Sequence, residues 1–92
     1  MIVSFKHKGL EHLYRTGSAK GVQKSHAEKL LRILDLLEVS SSPKDLWIPE
    51  FRTHALRGIK KGYYSIWVNG NWRITFRFMD GVVENIDYED YH

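Results

Sequence analysis

The sequence predicts an α+β fold in which two N-terminal helices pack on one face of a small, antiparallel-rich sheet. Apolar residues recur at helical spacing in the N-terminal segment up to Val39. From Gly62 onward, β-branched and aromatic residues dominate, and two such runs meet at Asn69-Gly70, a strong hairpin signal. Helices followed by a meander of strands are typical of α+β domains, with the second face of the sheet left open.

Length and composition indicate one folded domain spanning residues 1–92. The 92 residues are 42% hydrophobic and 13% aromatic, more than a disordered chain carries, and no apolar run is long enough to cross a membrane. The absence of cysteine excludes disulfide and thiolate chemistry. Because Met1-Ile2-Val3 leads into polar residues and not into an apolar signal segment, we expect a cytoplasmic location.

The N-terminal segment predicts a short strand followed by a short helix. Residues Met1 to Phe5 are β-favouring and could lie beside the hairpin. Lys6 to Arg15 carries Leu10 and Leu13 at helical spacing, and Gly17 then supplies a stop.

The strongest helical pattern runs from Val22 to Val39. Its apolar stripe consists of Ala27, Leu30, Leu31, Leu34 and Leu37, and charged residues such as Lys29 occupy the opposite side. The histidines of the two helices, His7, His12 and His26, are interpreted as solvated or partly buried residues, since no metal-ligand spacing accompanies them.

The connection to the sheet contains turn and capping signals. Ser42-Pro43-Lys44-Asp45 predicts a single helical turn through Trp47. We expect an edge strand over Phe51 to Leu56, then a turn over Gly58 to Gly62. After the hairpin, Met79-Asp80-Gly81 predicts a second turn and Val82 to Tyr88 a last strand.

The distribution of side chains predicts the register of the hairpin. A two-residue loop would place Ile66 and Val68 beside Arg73, a mixture that could be neither buried nor solvated cleanly. A three-residue loop, Asn69-Gly70-Asn71, separates an apolar face from a basic and aromatic face. The apolar face then carries Tyr64, Ile66, Val68, Trp72, Ile74, Phe76 and Phe78, and the other face carries Tyr63, Ser65, Trp67, Arg73, Thr75 and Arg77. Gly70 or Asn71 can take the positive φ of such a loop.

Charge is concentrated in the central block from Phe51 to Met79. This block has six cations and no acid, a local charge of +6, whereas the segment after Met79 has acids and no Lys or Arg. Such a block attracts polyanions, although a solubilising surface would look similar. The candidate RNA- or phosphate-binding residues are Arg57, Lys60, Lys61, Arg77, Tyr63 and Trp67. The two aromatic side chains could stack on bases.

Two groups of titratable residues could meet on the open face. His54 and Arg57 come from one edge and the terminal Asp90-Tyr91-His92 from the other, with Arg73 between them. Metal-independent RNA cleavage needs a base for the 2′-hydroxyl, an acid for the leaving 5′-oxygen and cations for the phosphorane charge. Histidine suits either proton transfer and arginine suits the phosphate. From residue types alone, a non-catalytic binding surface remains an open alternative.

Several motifs together resemble the HigB toxins of the RelE/ParE superfamily. They are the hairpin segment NWRITF, Gly62-Tyr63 before it, His54-Ala55-Leu56-Arg57-Gly58, and the terminal Tyr88-Glu89-Asp90-Tyr91-His92. The resemblance covers essentially the whole chain and implies a RelE-like microbial RNase fold. It also implies a ribosome-dependent endoribonuclease toxin that cleaves mRNA in the A site of the 70S ribosome, without a metal cofactor. A cognate helix-turn-helix antitoxin would neutralise it.

The resemblance also implies residue roles. His54, Asp90, Tyr91 and His92 match the family's catalytic group, and Arg73 matches the arginine near the scissile phosphate. Arg57 stands where the relatives carry lysine, and because arginine keeps its proton we interpret it as a phosphate clamp. The alternatives are a ParE-like toxin that inhibits gyrase and a non-catalytic RNA- or protein-binding module of the same fold.

Overall fold

The computed structural model describes residues 1–58 and 61–90, which form two α-helices, three short 3-10 turns and a four-stranded antiparallel sheet in the order β1-β2-β3-β4. The helices are α1 (Lys8–Thr16) and α2 (Ala27–Val39), and the strands are β1 (His54–Ala55), β2 (Tyr63–Asn69), β3 (Trp72–Met79) and β4 (Val82–Asp90). Leucines and isoleucines of both helices share one buried core with one face of the sheet. The α+β prediction is therefore confirmed.

Helix α1 has a defined start and stop. The Nδ1 atom of His7 accepts a hydrogen bond from the backbone N–H of Leu10 at 3.0 Å, which caps the helix. At the other end Gly17 adopts a left-handed conformation, with φ 80°, and donates its N–H to the Leu13 carbonyl. The stop is the one that the sequence predicts, and the start lies two residues later than expected.

The turn before α2 lies directly on α1. A Cβ atom added to Gly9 would stand 2.4 Å from the carbonyl oxygen of Gly21, so the two backbones touch where neither residue has a side chain. Because the chain must turn here, α2 cannot begin at Val22 as predicted. A 3-10 turn over Lys24–His26 intervenes, and α2 begins at Ala27.

The predicted turn after α2 is present as a 3-10 turn over Pro43–Leu46. The Asp45 carboxylate accepts the backbone N–H groups of Ser41 and Ser42 at 2.9 and 3.3 Å. These hydrogen bonds lower the pKa of Asp45 because they favour its charged form.

The predicted edge strand over Phe51 to Leu56 is wrong for most of its length. Phe51 ends a 3-10 turn, and Arg52 takes the left-handed conformation with φ 46°. A strand cannot pass through that conformation, so β1 begins at His54; it consists of His54 and Ala55, and the N–H of Leu56 donates one further hydrogen bond to the Tyr63 carbonyl of β2. Past Ser65, the partner of His54, β2 is an open edge of the sheet in the region that the structure describes.

The N-terminal segment makes isolated bridges where a strand is predicted. Ile2 bridges Val83 and Phe5 bridges Ile86, both in the parallel sense, so this segment lies along β4 and not beside the hairpin. The contact point on β4 is irregular, because Asn85 has φ 54° and donates its backbone N–H to the Ser4 hydroxyl.

The hairpin has the predicted faces but a different tip. Ile66 pairs with Ile74 and Trp67 with Arg73, the register that a three-residue loop would give. At the tip, however, Asn69 pairs with Trp72 across a two-residue turn at Gly70-Asn71, and the register shifts between Trp67 and Asn69. One extra residue on β2 forms a bulge there, and it restores the separation of apolar and basic faces.

Candidate functional site

The face of the sheet opposite the helices, called the open face below, carries most of the candidate site residues. The register arranges its side chains in cross-strand rows, because partners in an antiparallel pair point to the same side. The rows are His54, Ser65, Thr75 and Asp87; Trp67, Arg73 and Glu89; and Tyr63, Arg77 and Glu84.

His54 makes two hydrogen bonds at the exposed end of its row. Its Nδ1 atom lies 3.1 Å from the carbonyl oxygen of Arg52, and its Nε2 atom lies 3.2 Å from the hydroxyl of Ser65. The left-handed backbone of Arg52 turns its carbonyl toward the ring of His54. A locally strained residue therefore helps to hold the imidazole.

Arg73 lies one row from His54. It pairs with Trp67 on β2 and with Glu89 on β4. Rows on one face are two residues apart, which is about 7 Å along a strand. His54 on β1 and Arg73 on β3 are in addition two strand spacings apart, about 10 Å across the sheet, so they share the open face without being adjacent.

The third row is engaged in contacts within the protein. Arg77 Nη1 lies 3.1 Å from the carboxylate of Glu84, and the hydroxyl of Tyr63 accepts the side-chain N–H of Asn85 at 3.1 Å. Beside this row is an open depression of about 360 Å³, lined by Lys6, Tyr63, Thr75, Asn85 and Asp87. The Glu84 carboxylate partly neutralises Arg77 and so weakens its attraction for a phosphate.

Trp67 is covered by cations at the free edge of β2. The Nζ atom of Lys29 and the Cζ atom of Arg52 each lie 4.2 Å from the centre of a Trp67 ring. Lys29 also donates a hydrogen bond of 2.9 Å to the carbonyl of Val68, at the bulge. Burial is the main cause that lowers the pKa of Lys29, and the neighbouring arginines Arg32 and Arg52 add to it.

Sequence reasoning missed Lys29 as part of this surface. The helical pattern assigns it to the solvated side of α2, and no local signal links it to Trp67. The contact exists because β1 is too short to cover β2 at that level, so the side chain reaches around the edge of the sheet.

Asp90 does not lie with Arg73. It pairs with Trp72, and strand alternation places it with Tyr88 on the face that the helices cover. Burial first, and the charge of Asp90 as a smaller cause, raise the pKa of Tyr88. The expectation that Asp90 joins the open face is therefore wrong.

The remaining candidates belong to the loop before β2 and to the C-terminus. Arg57 and Lys61 are exposed on either side of residues 59–60. Lys60, Tyr91 and His92 lie outside the described residues.

Residues 1–58 and 61–90 contain no group of three or more His, Asp or Glu side chains placed to hold a metal ion. Neither helix in that part is long and apolar enough to cross a membrane.

Comparison with known proteins gives a consistent assignment. Residues 3–92 match the family described as the RelE-like toxin of the type II toxin-antitoxin system HigB. The chain is 39% identical over 92 residues to the endoribonuclease HigB of Proteus vulgaris, with both chains covered completely. It is 37% identical over 94 residues to toxin HigB-1 of Vibrio cholerae serotype O1, covering 100% of this chain and 98% of the relative.

The fold is also found among solved structures. YafQ from E. coli strain BL21(DE3) superimposes with a TM-score of 0.62 at 17% identity, covering 97% of this chain and 92% of YafQ. At that identity the similarity concerns the fold. The match of the family model over residues 3–92 shows that the chain belongs to the HigB-like family of RelE-like toxins of type II toxin-antitoxin systems.

Proposed function

We propose that the protein is an endoribonuclease toxin that cleaves mRNA in the A site of the 70S ribosome and is neutralised by a cognate helix-turn-helix antitoxin. The family and the 39% identical relative named an endoribonuclease support the reaction class. The observation that carries the proposal is the presence of His54 and Arg73 on the same open sheet face, one row and two strands apart. General acid–base chemistry by side chains, without a metal, is the mechanism we propose for the cytoplasmic protein.

The reaction needs two proton transfers on opposite sides of the phosphorus. A base removes the proton of the 2′-hydroxyl, which attacks the phosphate, and an acid protonates the leaving 5′-oxygen. His54 and His92 share these transfers, and either can be the base. Tyr91 and Asp90 orient or tune the imidazole of His92.

The cations stabilise the charge that builds up on the phosphorane. Arg73 is the principal phosphate ligand, and Arg57 from the neighbouring loop is a clamp that keeps its charge throughout. Lys60 and Lys61 are further residues that we propose to bind the phosphates of the RNA backbone. Arg77 contributes less because Glu84 already binds it.

The aromatic residues have different parts in RNA binding. Tyr63 borders the depression beside the third row, where a base could stack on its ring. The rings of Trp67 lie against Lys29 and Arg52, so we propose that Trp67 supports a positive edge for the phosphate backbone. This role differs from the base stacking that the sequence suggests.

The proposal is tested with mRNA programmed on purified ribosomes. His54→Ala is expected to lower the cleavage rate by about 10²- to 10⁴-fold, because it removes one proton transfer. His92→Ala tests the second transfer. The matched control is His12→Ala, since His12 is an exposed histidine of α1 that should cleave like the wild type.

The outcomes separate three activities. Cleavage by the wild type and by His12→Ala, with loss in His54→Ala, supports the proposal. Cleavage within a few-fold of wild type in both His54→Ala and His92→Ala contradicts the catalytic assignment. DNA breaks in the presence of gyrase would indicate a ParE-like toxin, and neither activity would indicate a binding module.

A further inference from the structure

The hydrogen bonds of His54 determine which ring nitrogen can exchange a proton. A carbonyl oxygen only accepts, so the bond to the Arg52 carbonyl places the hydrogen on Nδ1 of the neutral ring. Nε2 is then the unprotonated nitrogen, and it accepts the hydroxyl proton of Ser65 at 3.2 Å. The two bonds therefore select one tautomer of His54.

Ser65 is well placed to hold that arrangement. It is 1% exposed and lies in β2 between β1 and β3, where its backbone pairs with both His54 and Thr75. His54, in contrast, is an exposed residue of a two-residue strand. The histidine ring needs side contacts to stay in one orientation, and Ser65 supplies the contact at the reactive nitrogen.

We propose that Ser65 is a positioning residue that presents Nε2 of His54 as the atom that transfers protons to and from RNA. This inference rests on the proposed nuclease function. The RNA hydroxyl takes the place of the Ser65 hydroxyl at Nε2, and this exchange of one O–H donor for another costs little. If His54 is the acid, the Ser65 oxygen accepts from the protonated Nε2 until the leaving oxygen takes that proton.

The first test compares Ser65→Ala with Ser40→Ala. Ser40 is also buried, at 4% exposure, and its hydroxyl donates a hydrogen bond of 2.6 Å to the carbonyl of Leu36 in α2, a helix that packs on the other face of the sheet. Losing the positioning bond is expected to lower kcat for ribosomal mRNA cleavage by about 3- to 10-fold while KM stays unchanged. Ser40→Ala should keep the wild-type kcat, and Ser65→Thr, which retains the hydroxyl, should recover most of it.

The second test observes the tautomer directly in the free protein. Nitrogen NMR of His54, recorded with the imidazole neutral, should show a protonated Nδ1 and an unprotonated Nε2 in the wild type. Ser65→Ala should shift both signals toward a mixture of tautomers, whereas Ser40→Ala should not. A wild type with protonated Nε2, or a Ser65→Ala variant with unchanged kcat and unchanged nitrogen signals, overturns the inference.

The two measurements distinguish this inference from the proposed function. A wild type that does not cleave mRNA overturns the nuclease and the catalytic half of the inference. The NMR result still decides whether Ser65 selects the tautomer, because it needs no RNA. Cleavage by the wild type together with an unaffected Ser65→Ala variant would overturn the inference alone.

Discussion

His26 is a buried histidine with a structural environment. Its side chain is 6% exposed, and its Nδ1 atom lies 2.6 Å from the hydroxyl oxygen of Tyr88. Burial is the main cause that lowers the pKa of His26, and the positive charge of Lys29 adds to it. The sequence interpretation of this histidine as solvated or partly buried is therefore wrong, because His26 is buried beside Tyr88.

His26 is expected to make the fold sensitive to acid. Its pKa in the folded state is below the ordinary value of 6.5, so the fold favours the neutral ring. The stabilisation is present above pH 6.5 and is lost as the pH falls below it, because the unfolded chain takes up the proton first. The free energy of unfolding, measured with urea at pH 7.5 and pH 5, should fall more for the wild type than for His26→Gln.

The test compares the change in the free energy of unfolding between the two pH values within each variant. The absolute stabilities of the variants do not enter it. His12→Gln, at an exposed position of α1, is the matched control and should respond to pH like the wild type. An equal loss of stability in the wild type and in His26→Gln would show that another group causes the acid response.

The hairpin shows what a sequence pattern can and cannot predict about an element. Burial forces Ile66 and Ile74 to one face and leaves Arg73 on the other. Residue types alone therefore predict which side chains of the hairpin share a face. The pattern does not reveal whether the extra residue between the two strands belongs to the loop or to a bulge. The bulge also makes a contact that no local pattern contains, since the Val68 carbonyl accepts a hydrogen bond from Lys29 of α2.

Other elements differ from their predictions for similar reasons. Arg52 ends the expected edge strand through a backbone conformation that β propensity does not anticipate. Asp90 follows residues that the sequence assigns to the last strand, but β4 continues through it. The continued strand fixes Asp90 on the side of Tyr88, whereas a chain that left the sheet at Tyr88 could have turned either way.

The contact between α1 and the turn before α2 gives a prediction about Gly9. Replacing glycine by alanine within a helix normally stabilises it by about 0.5–1 kcal/mol. Here the new Cβ atom would lie 2.4 Å from the backbone oxygen of Gly21, so the elements must separate. Gly9→Ala is expected to lower the free energy of unfolding by about 1–3 kcal/mol, a range typical of overpacking.

Urea denaturation measures this effect, with Lys8→Ala as the control. Lys8 is the exposed neighbour in α1, and its replacement should change stability little. A Gly9→Ala variant as stable as the wild type would show that α1 and the turn can separate without cost.

At the scale of the whole molecule, folding brings together charges that lie in separate segments of the sequence. The +6 block appears in the sequence as one positive segment, but the acids that follow it form the neighbouring strand. Glu89 stands opposite Arg73 and Glu84 opposite Arg77. The fold class and the positive face are thus predictable from the sequence, whereas the partial neutralisation of that face depends on strand pairing.

Because Glu84 pairs with Arg77, we expect Glu84 to limit the affinity of the protein for RNA. Glu84→Gln should remove the negative charge that faces Arg77 and raise the affinity for RNA or ribosomes, with the largest gain at low salt because phosphate binding displaces counterions. Fluorescence anisotropy over a salt series measures the change. Glu28→Gln, which alters the net charge equally at an exposed site on α2, is the control.

A similar gain in both variants would indicate a general effect of net charge. A gain in Glu84→Gln alone supports a local role for Arg77. Unchanged affinity and an unchanged salt slope in Glu84→Gln would contradict the participation of Arg77 in RNA binding.

The bulge at Val68 offsets the change of strand register that the two-residue turn alone would cause. With the two-residue turn alone, Arg73 would stand opposite Val68 and point into the core; the extra residue returns it to the side of His54. A relative with a longer turn and no bulge would present the same face. In comparing hairpins of this kind, the residue count between Ile66 and Ile74 therefore identifies equivalent side chains, and the apparent length of the turn does not.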